Sequence, residues 1–469
     1  MILLKNKKVA ILGLLAPAIA AIQFAHKQNA RVKAYGIATA KELEVHRKNL
    51  GSIPCELIVD DLPPNALDDE EVIILTPGGA RRYAIPIENA KRKGCAVISD
   101  LDLAFQHFKS PVIAVTGTNG KTTVIHMIKS ILESAGKKVL VGGGEFPPFL
   151  QLLLKPTPCD YVLLELNSSR LARSELFHPY LAILLNIYVG HYERHSSFNE
   201  YKLAKAKIYQ KQTKEEFLIH RGDREILDLC KRYPPLSQQY VFGFSENPLP
   251  GAFMHIKDKT IEFVSAKKER AHYDFKNSSI WGNPNHENIL AAICAAKICK
   301  ISDEDIQKAI NELKPLPNRM EFLQKIGGVS YINDAKSVNV MGTLLNLFAF
   351  PPTSVVLIAG GEYMSKQYYD QLGPMLSEKV RCLIIFGTYR KKFYEKWGDK
   401  TETFLVTSLK DAVMLASQKA EKSNCVLFSP ASRPEPHIHA SVQNRGNEFK
   451  RLVKEVEKIE KAKIVNRRI

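Results

Sequence analysis

Short apolar runs bounded by glycine, proline or polar turns recur along the chain, and most alternate with longer stretches whose apolar residues repeat at helical spacing. Runs this short read as buried strands, and their alternation with helices predicts an α/β fold with mostly parallel sheets. Strands are expected near Val9, Val32, Leu57, Val72 and Val97, then at 112–115, near Val139, and at 161–164, 183–186 and 217–220. A helix is expected from Val124 to Ala135, ending at Gly136, and an alanine-rich one follows Trp281-Gly282-Asn283-Pro284-Asn285-His286-Glu287-Asn288. The segment Lys314-Pro315-Leu316-Pro317-Asn318 reads as a linker, because its prolines oppose both helix and ladder. Alternation then resumes with strands at 355–358, 382–386 and 425–428. In the final stretch, 450–469, Leu452, Val453, Val456 and Ile459 repeat as on a helix packed along the surface. Three domains are expected: a Rossmann-like unit over 1–109, a central P-loop unit over 110–317 and a second Rossmann-like unit over 318–469.

Three further features bear on compartment and partners. Lys5, Lys7 and Lys8 precede an apolar run, 9–25, which resembles a signal peptide. The same residues also fit the first strand and helix of a Rossmann-like domain. Pro17 suits a first helical turn, and Arg31-Val32-Lys33-Ala34-Tyr35 supplies a second strand, so this reading is preferred. The eight cysteines contain no C-x-x-C pair, which fits a reducing cytoplasm. The formal charge of +17 favours anionic partners, but the basic residues are scattered. The expectation is a cytoplasmic monomer with no nucleic-acid partner and no stable membrane insertion.

The strongest chemical signal follows the strand at 112–115. Gly117-Thr118-Asn119-Gly120-Lys121-Thr122-Thr123 places a glycine turn, a lysine and two hydroxyls between a strand and a helix. That arrangement holds a nucleotide triphosphate, with backbone N–H groups and the helix N-terminus facing phosphate oxygens. Lys121 would sit against the terminal phosphates, and Thr122 would offer its hydroxyl to magnesium. Val115 stands where the strict P-loop pattern has its first glycine, so the loop is a shorter variant.

Further clusters accompany this loop: Leu163-Leu164-Glu165-Leu166-Asn167-Ser168-Ser169, the stretch 186–195 followed by Tyr201-Lys202-Leu203-Ala204-Lys205, Asn318-Arg319-Met320-Glu321, Ile332-Asn333-Asp334-Ala335-Lys336, Ser429-Pro430-Ala431 and Asn444-Arg445-Gly446-Asn447-Glu448-Phe449. Together they resemble the Mur ligases, ATP-dependent amide-forming enzymes of peptidoglycan precursor synthesis. The resemblance spans essentially the whole chain and is nearest to the member that adds D-glutamate to UDP-N-acetylmuramoyl-L-alanine. It implies ATP and two magnesium ions. Lys121 would bind phosphates, Thr122 and Glu165 the first metal, and His191 and Lys205 the second, with Lys205 carbamylated to N6-carboxylysine. Asn285 and Asn288 would lie near adenine, Arg319 and Asp334 would contact ATP from the third domain, and Lys336 would sit near the reacting groups. Taken alone, several have plainer readings: Lys205 as one lysine of a solvated helix face, Asp334 as a turn residue, Asn285 and Asn288 as helix caps.

The departures fall where substrates would be recognised. The first turn reads Gly13-Leu14-Leu15-Ala16-Pro17 rather than glycine-rich, and Gly36 replaces an acid after the second strand, although Thr76-Pro77-Gly78-Gly79 keeps a similar turn. Gly144-Glu145-Phe146-Pro147-Pro148 replaces a Gly-Asn-Ile-Gly loop. Asn167-Ser168-Ser169-Arg170 replaces Ser-Ser-Phe-Gln, and Gly190 replaces the acid before the metal-site histidine. Val338 stands for a threonine, Lys366 is a shifted candidate for a basic residue, and Arg433 is a candidate contact for a substrate carboxylate. Three readings stay open: the D-glutamate-adding ligase with altered contacts, a related ligase for another amino acid such as L-glutamate or another acceptor, and a nucleotide-binding regulator without turnover.

Overall fold

The computed structural model describes residues 2–59, 61–77, 82–155, 157–188, 195–364 and 368–466. Five strands, β1 (Lys8–Leu12), β2 (Arg31–Tyr35), β3 (Glu56–Ile58), β4 (Val72–Leu75) and β5 (Ala96–Ser99), form a parallel sheet in the order β3-β2-β1-β4-β5. This is the doubly wound arrangement, whose strand order reverses between β1 and β4. The lysine-led apolar run at the start is β1 and the helix Ala16–Lys27, with Pro17 in its first turn.

The second sheet has nine strands. In chain order these are β6 (Val112–Thr116), β7 (Val139–Gly143), β8 (Tyr161–Glu165), β9 (Leu181–Leu184), β10 (Phe217–Arg221), β11 (Gln238–Gly243), β12 (Gly251–His255), β13 (Thr260–Val264) and β14 (Arg270–Asp274). Their spatial order is β14-β13-β12-β11-β10-β9-β6-β8-β7, parallel except at the β12–β13 and β13–β14 pairs. β6, β8 and β9 are buried on both faces, which is why they read as continuous apolar runs rather than alternating ones. The third sheet, β15 (Glu321–Ile326), β16 (Val329–Asn333), β17 (Val355–Gly360), β18 (Val380–Phe386), β19 (Glu402–Leu405) and β20 (Cys425–Phe428), runs β15-β16-β20-β17-β18-β19 and is parallel apart from β15.

Two compact units divide the chain. The first holds the first two sheets, and the second holds the third sheet with segments 276–287 and 311–320. Within the first unit one apolar core runs from β1 and the helix Ala16–Lys27 to β6, β8 and β9. A buried ion pair, Arg170 to Asp100 at 2.8 Å, ties the segment after β8 to the start of the helix Asp100–Phe105 that follows β5. Asp102 accepts from Ser174 Oγ at 2.5 Å and from the N–H groups of Glu175 and Leu176. In the second unit, separate apolar clusters cover the two faces of the third sheet. Among the described residues no helix is long and apolar enough to cross a membrane.

Candidate active site

The phosphate-loop sequence forms its turn at the carboxyl end of β6, between β8 and β9, where the order of the central sheet reverses. Open α/β sheets bind ligands at such points. Gly120 takes φ 89°, a left-handed conformation that glycine adopts without a steric penalty. A Cβ there would lie 2.4 Å from Oδ1 of Asn288, so the candidate adenine-side residue Asn288 packs directly on the loop. Gly117 is required as well, since its Cβ would meet that of Leu185 at 2.9 Å.

Asn186 holds the loop from one side. Its backbone oxygen accepts from Thr118 N at 3.0 Å, its Oδ1 accepts from Asn119 N at 2.9 Å, and its Nδ2 donates to Asn119 O at 3.1 Å. Thr118 also bonds through its hydroxyl to Tyr201 OH at 2.9 Å. The N–H groups of Thr118 and Asn119 therefore brace the loop. The start of the helix Lys121–Ser134 offers phosphate donors, because the first N–H groups of any helix lack intrahelical acceptors.

The chemical groups converge on this turn. The Thr122 hydroxyl donates to Glu165 Oε2 at 2.9 Å, and both residues are buried. Two hard oxygen donors beside a phosphate cradle suit magnesium. Glu165 ends β8, and Gly143 and Gly144 back it: a Cβ on Gly144 would lie 2.3 Å from the Glu165 carboxyl carbon. The substitution Gly144→Ala is therefore expected to displace that carboxylate and cut turnover on the order of 100-fold without unfolding the chain. Steady-state kinetics with circular dichroism would check this. Lys121 Nζ donates to Gly117 O at 3.0 Å and Thr118 O at 3.2 Å, so it folds over the loop.

Lys205 is only 1% exposed, which excludes the solvated-face reading. Its Nζ lies 3.4 Å from Thr116 Oγ1 and 4.8 Å from the centre of the Tyr201 ring. Burial, reinforced by the Lys121 charge, pulls its pKa well below the ordinary lysine value. That favours the neutral amine, the form that can add to carbon dioxide. Tyr201 precedes Lys205 by one helical turn on Phe198–Ala206, a spacing that signals a shared face. The roles of Asn186, Tyr201 and Gly144 were not assigned from sequence.

The second unit holds Asn285, Arg319, Asp334 and Lys336. Asn285 Nδ2 donates to Trp281 O at 3.1 Å. Asp334 is not a plain turn residue. It is buried at the end of β16 and accepts from Ser337 Oγ, Ser429 Oγ, Asn346 Nδ2 and Met320 N at 2.5, 2.8, 2.7 and 3.2 Å. Burial raises its pKa to about 6 against the lowering effect of those donors. Arg319 and Lys336 are half-buried, and Lys336 N donates to Asn318 O at 3.0 Å. His191, Gly190, Lys366, Gly78 and Gly79 lie outside the described residues.

At the switch point of the first sheet, Gly13 (φ 118°) packs on Thr76, whose hydroxyl donates to Leu12 O at 2.7 Å. Leu14 is buried against Gly36, where a Cβ would come within 2.7 Å of Leu14 Cγ. The leucine and the missing acid are thus one change: the leucine occupies the space that a side chain at 36 would need.

The profile of the Mur ligase middle domain matches residues 115–296. The UDP-N-acetylmuramoylalanine–D-glutamate ligase of Bdellovibrio bacteriovorus is 30% identical, covering 96% of this chain and 98% of that protein. The enzyme of the same name from Koribacter versatilis is 31% identical, covering 97% and 99%. Among solved structures, MurF ligase from Thermotoga maritima in complex with ADP shares the fold with a TM-score of 0.60 at 15% identity, covering 90% of this chain and 95% of that one. With near-full-length relatives at this identity and a matching nucleotide loop, the chain belongs to the Mur ligase family.

Proposed function

We propose that this chain is an ATP-dependent ligase that adds D-glutamate to UDP-N-acetylmuramoyl-L-alanine in peptidoglycan precursor synthesis, acting in the cytoplasm. The observation that carries the reading is the meeting of Lys121, Thr122, Glu165 and buried Lys205 around one phosphate loop. Glutamate-adding relatives at near-full-length coverage support the choice of substrates.

The first step joins a carboxylate oxygen of the acceptor to the γ-phosphorus and releases ADP, giving an acyl phosphate. The amine of glutamate then attacks the carbonyl carbon, phosphate departs with the activated oxygen, and the nitrogen loses a proton to leave an amide. Negative charge accumulates where carboxylate and γ-phosphate meet, so the site must supply cations. Lys121 supplies one beside the terminal phosphates. Thr122 and Glu165 would hold a magnesium ion, and Lys205, as a carbamate, would hold a second with His191. Bound there, magnesium would neutralise phosphate charge. Residues 1–109 would bind the nucleotide-linked acceptor, 110–317 ATP, and 318–469 the amino acid, with Arg319 and Lys336 contributing on closure, which also excludes water from the acyl phosphate. Asn285 and Asn288 would flank the adenine.

One observation favours a second reading, a ligase for a different acceptor: Leu14 fills the space at the switch point of the first sheet. Phosphate release measured with ATP, magnesium and UDP-N-acetylmuramoyl-L-alanine against a panel of D- and L-amino acids separates the two. The expected result is turnover with D-glutamate alone. Turnover with L-glutamate would move the substrate assignment, and silence across the panel would favour a different acceptor or a regulator.

A further inference from the structure

The carboxyl end of the third sheet carries a cation that the reaction scheme does not use. Arg445, in the first turn of the helix Val442–Asn466, is 0% exposed. Its Nη2 donates to Ala335 O at 2.9 Å and to Ser432 O at 2.7 Å, and its Nε donates to Ala335 O at 3.3 Å. Burial lowers its pKa to about 9, opposed by the Asp334 carboxylate, so it stays charged at neutral pH. Burying a guanidinium is costly, and a purely packing role could be met by an apolar side chain.

The two carbonyls it bridges are informative. One belongs to the residue just before Lys336 and the other to the residue just before Arg433. Both loops are also held from their far sides. Lys336 N donates to Asn318 O, and Asn318 packs on Gly446, where a Cβ would meet its Oδ1 at 2.1 Å. Arg433 O accepts from Glu362 N at 2.9 Å, and the Ser432 hydroxyl donates to Glu362 O. Gly361 (φ 133°) permits this approach, since a Cβ there would lie 2.3 Å from Arg433 O. One guanidinium thus fixes the backbone before two cationic residues on loops almost a hundred residues apart in sequence, its Nη2 bonded to both carbonyls and its Nε reinforcing the bond to Ala335.

We propose that Arg445 is a positioning residue that sets the spacing of Lys336 and Arg433, and that this pair selects an amino-acid substrate carrying two carboxylates. The inference rests on the ligase reading and extends it to how the amino acid is chosen. Arg433 touches the substrate, and Arg445 acts through the loops. A lysine at 445 keeps the charge but loses the Nε bond to Ala335 O and the rigid guanidinium that aims Nη2 at both carbonyls.

The test is steady-state kinetics of the full chain with glutamate, ATP and acceptor varied in turn, for wild type, Arg445→Lys, Arg433→Ala, Arg433→Lys and the double variant Arg445→Lys/Arg433→Ala. Arg433→Ala is expected to raise KM for glutamate about tenfold or more, the loss of one charge-assisted bond, and to erase discrimination against glutamine. Arg433→Lys should recover part of both effects. Arg445→Lys should raise KM for glutamate while KM for ATP and acceptor hold, and should add little in the Arg433→Ala background, because both act on one contact. If Arg445→Lys does not fold, the two Arg433 variants still decide whether that residue selects glutamate. An unchanged glutamate KM in Arg433→Ala, or an Arg445→Lys defect spread equally over all three substrates, overturns the proposal while the ligase reading stands. Wild-type silence with glutamate overturns both.

Discussion

Replacing Lys121 with alanine is expected to reduce ATP-dependent turnover at least 100- to 1000-fold, about the range found when one preorganised donor to a developing charge is removed. The lysine ammonium already lies over the loop, bonded to the carbonyls of Gly117 and Thr118. A triphosphate tail would exchange those neutral acceptors for charged ones, at little reorganisation cost. The loop itself should survive the change, because Asn186 braces it through three hydrogen bonds that do not involve Lys121. Phosphate release in saturating substrates, with nucleotide affinity measured separately by calorimetry, checks the prediction. Near-wild-type turnover in Lys121→Ala would remove the lysine from the reaction.

The second large effect is expected at Lys205. Lys205→Ala should reduce turnover to the same degree, and short carboxylic acids added with magnesium should restore a measurable fraction. The reason lies in the pocket around the amine. A protonated lysine at 1% exposure, with the Lys121 charge nearby, is poorly stabilised. Conversion to a carbamate replaces that cation with an anion able to offset the Lys121 charge and ligate a metal. The chain exposed to 13C-labelled bicarbonate should therefore show a carbamate carbon signal that Lys205→Ala lacks. A variant with full activity, or a wild type without that signal, would refute the modification.

Much of this site could be read along the chain, and the parts that could not share a cause. Strand positions followed from apolar runs because those strands are buried on both faces. The run expected at 183–186 ends two residues earlier: Asn186 leaves the ladder to hold Asn119, although Leu185 N still bonds Thr116 O. The helix after the loop begins at Lys121 rather than Val124, since Gly120 completes the turn. The terminal helix starts at Val442, eight residues before the expected stretch, behind a Ser441 hydroxyl that accepts from Asn444 N. Periodicity reports burial, and these positions are governed by polar contacts.

Contacts distant in sequence were the other gap. Arg170 read only as a departure from a family motif, yet it pairs with Asp100, seventy residues earlier. Gly36 and Leu14 read as two separate losses, and the packing makes them one. Only the family resemblance singles out Lys205 among the lysines of its helix, because its burial comes from packing that the local sequence does not show. In each case the residue type was visible and the partner was not.

The antiparallel pair that closes one side of the central sheet has a bearing on how the protein behaves at high concentration. β14 is the outermost strand there, and it sets Arg270 and His272 against the buried carboxylate of Glu262 on β13, with Arg270 at 2.6 Å. A foreign strand zipping onto that border would have to strip water from these charges before gaining any backbone bonds. The rim thus resists runaway stacking into fibrils, a hazard that a long parallel sheet ending in bare apolar residues would carry.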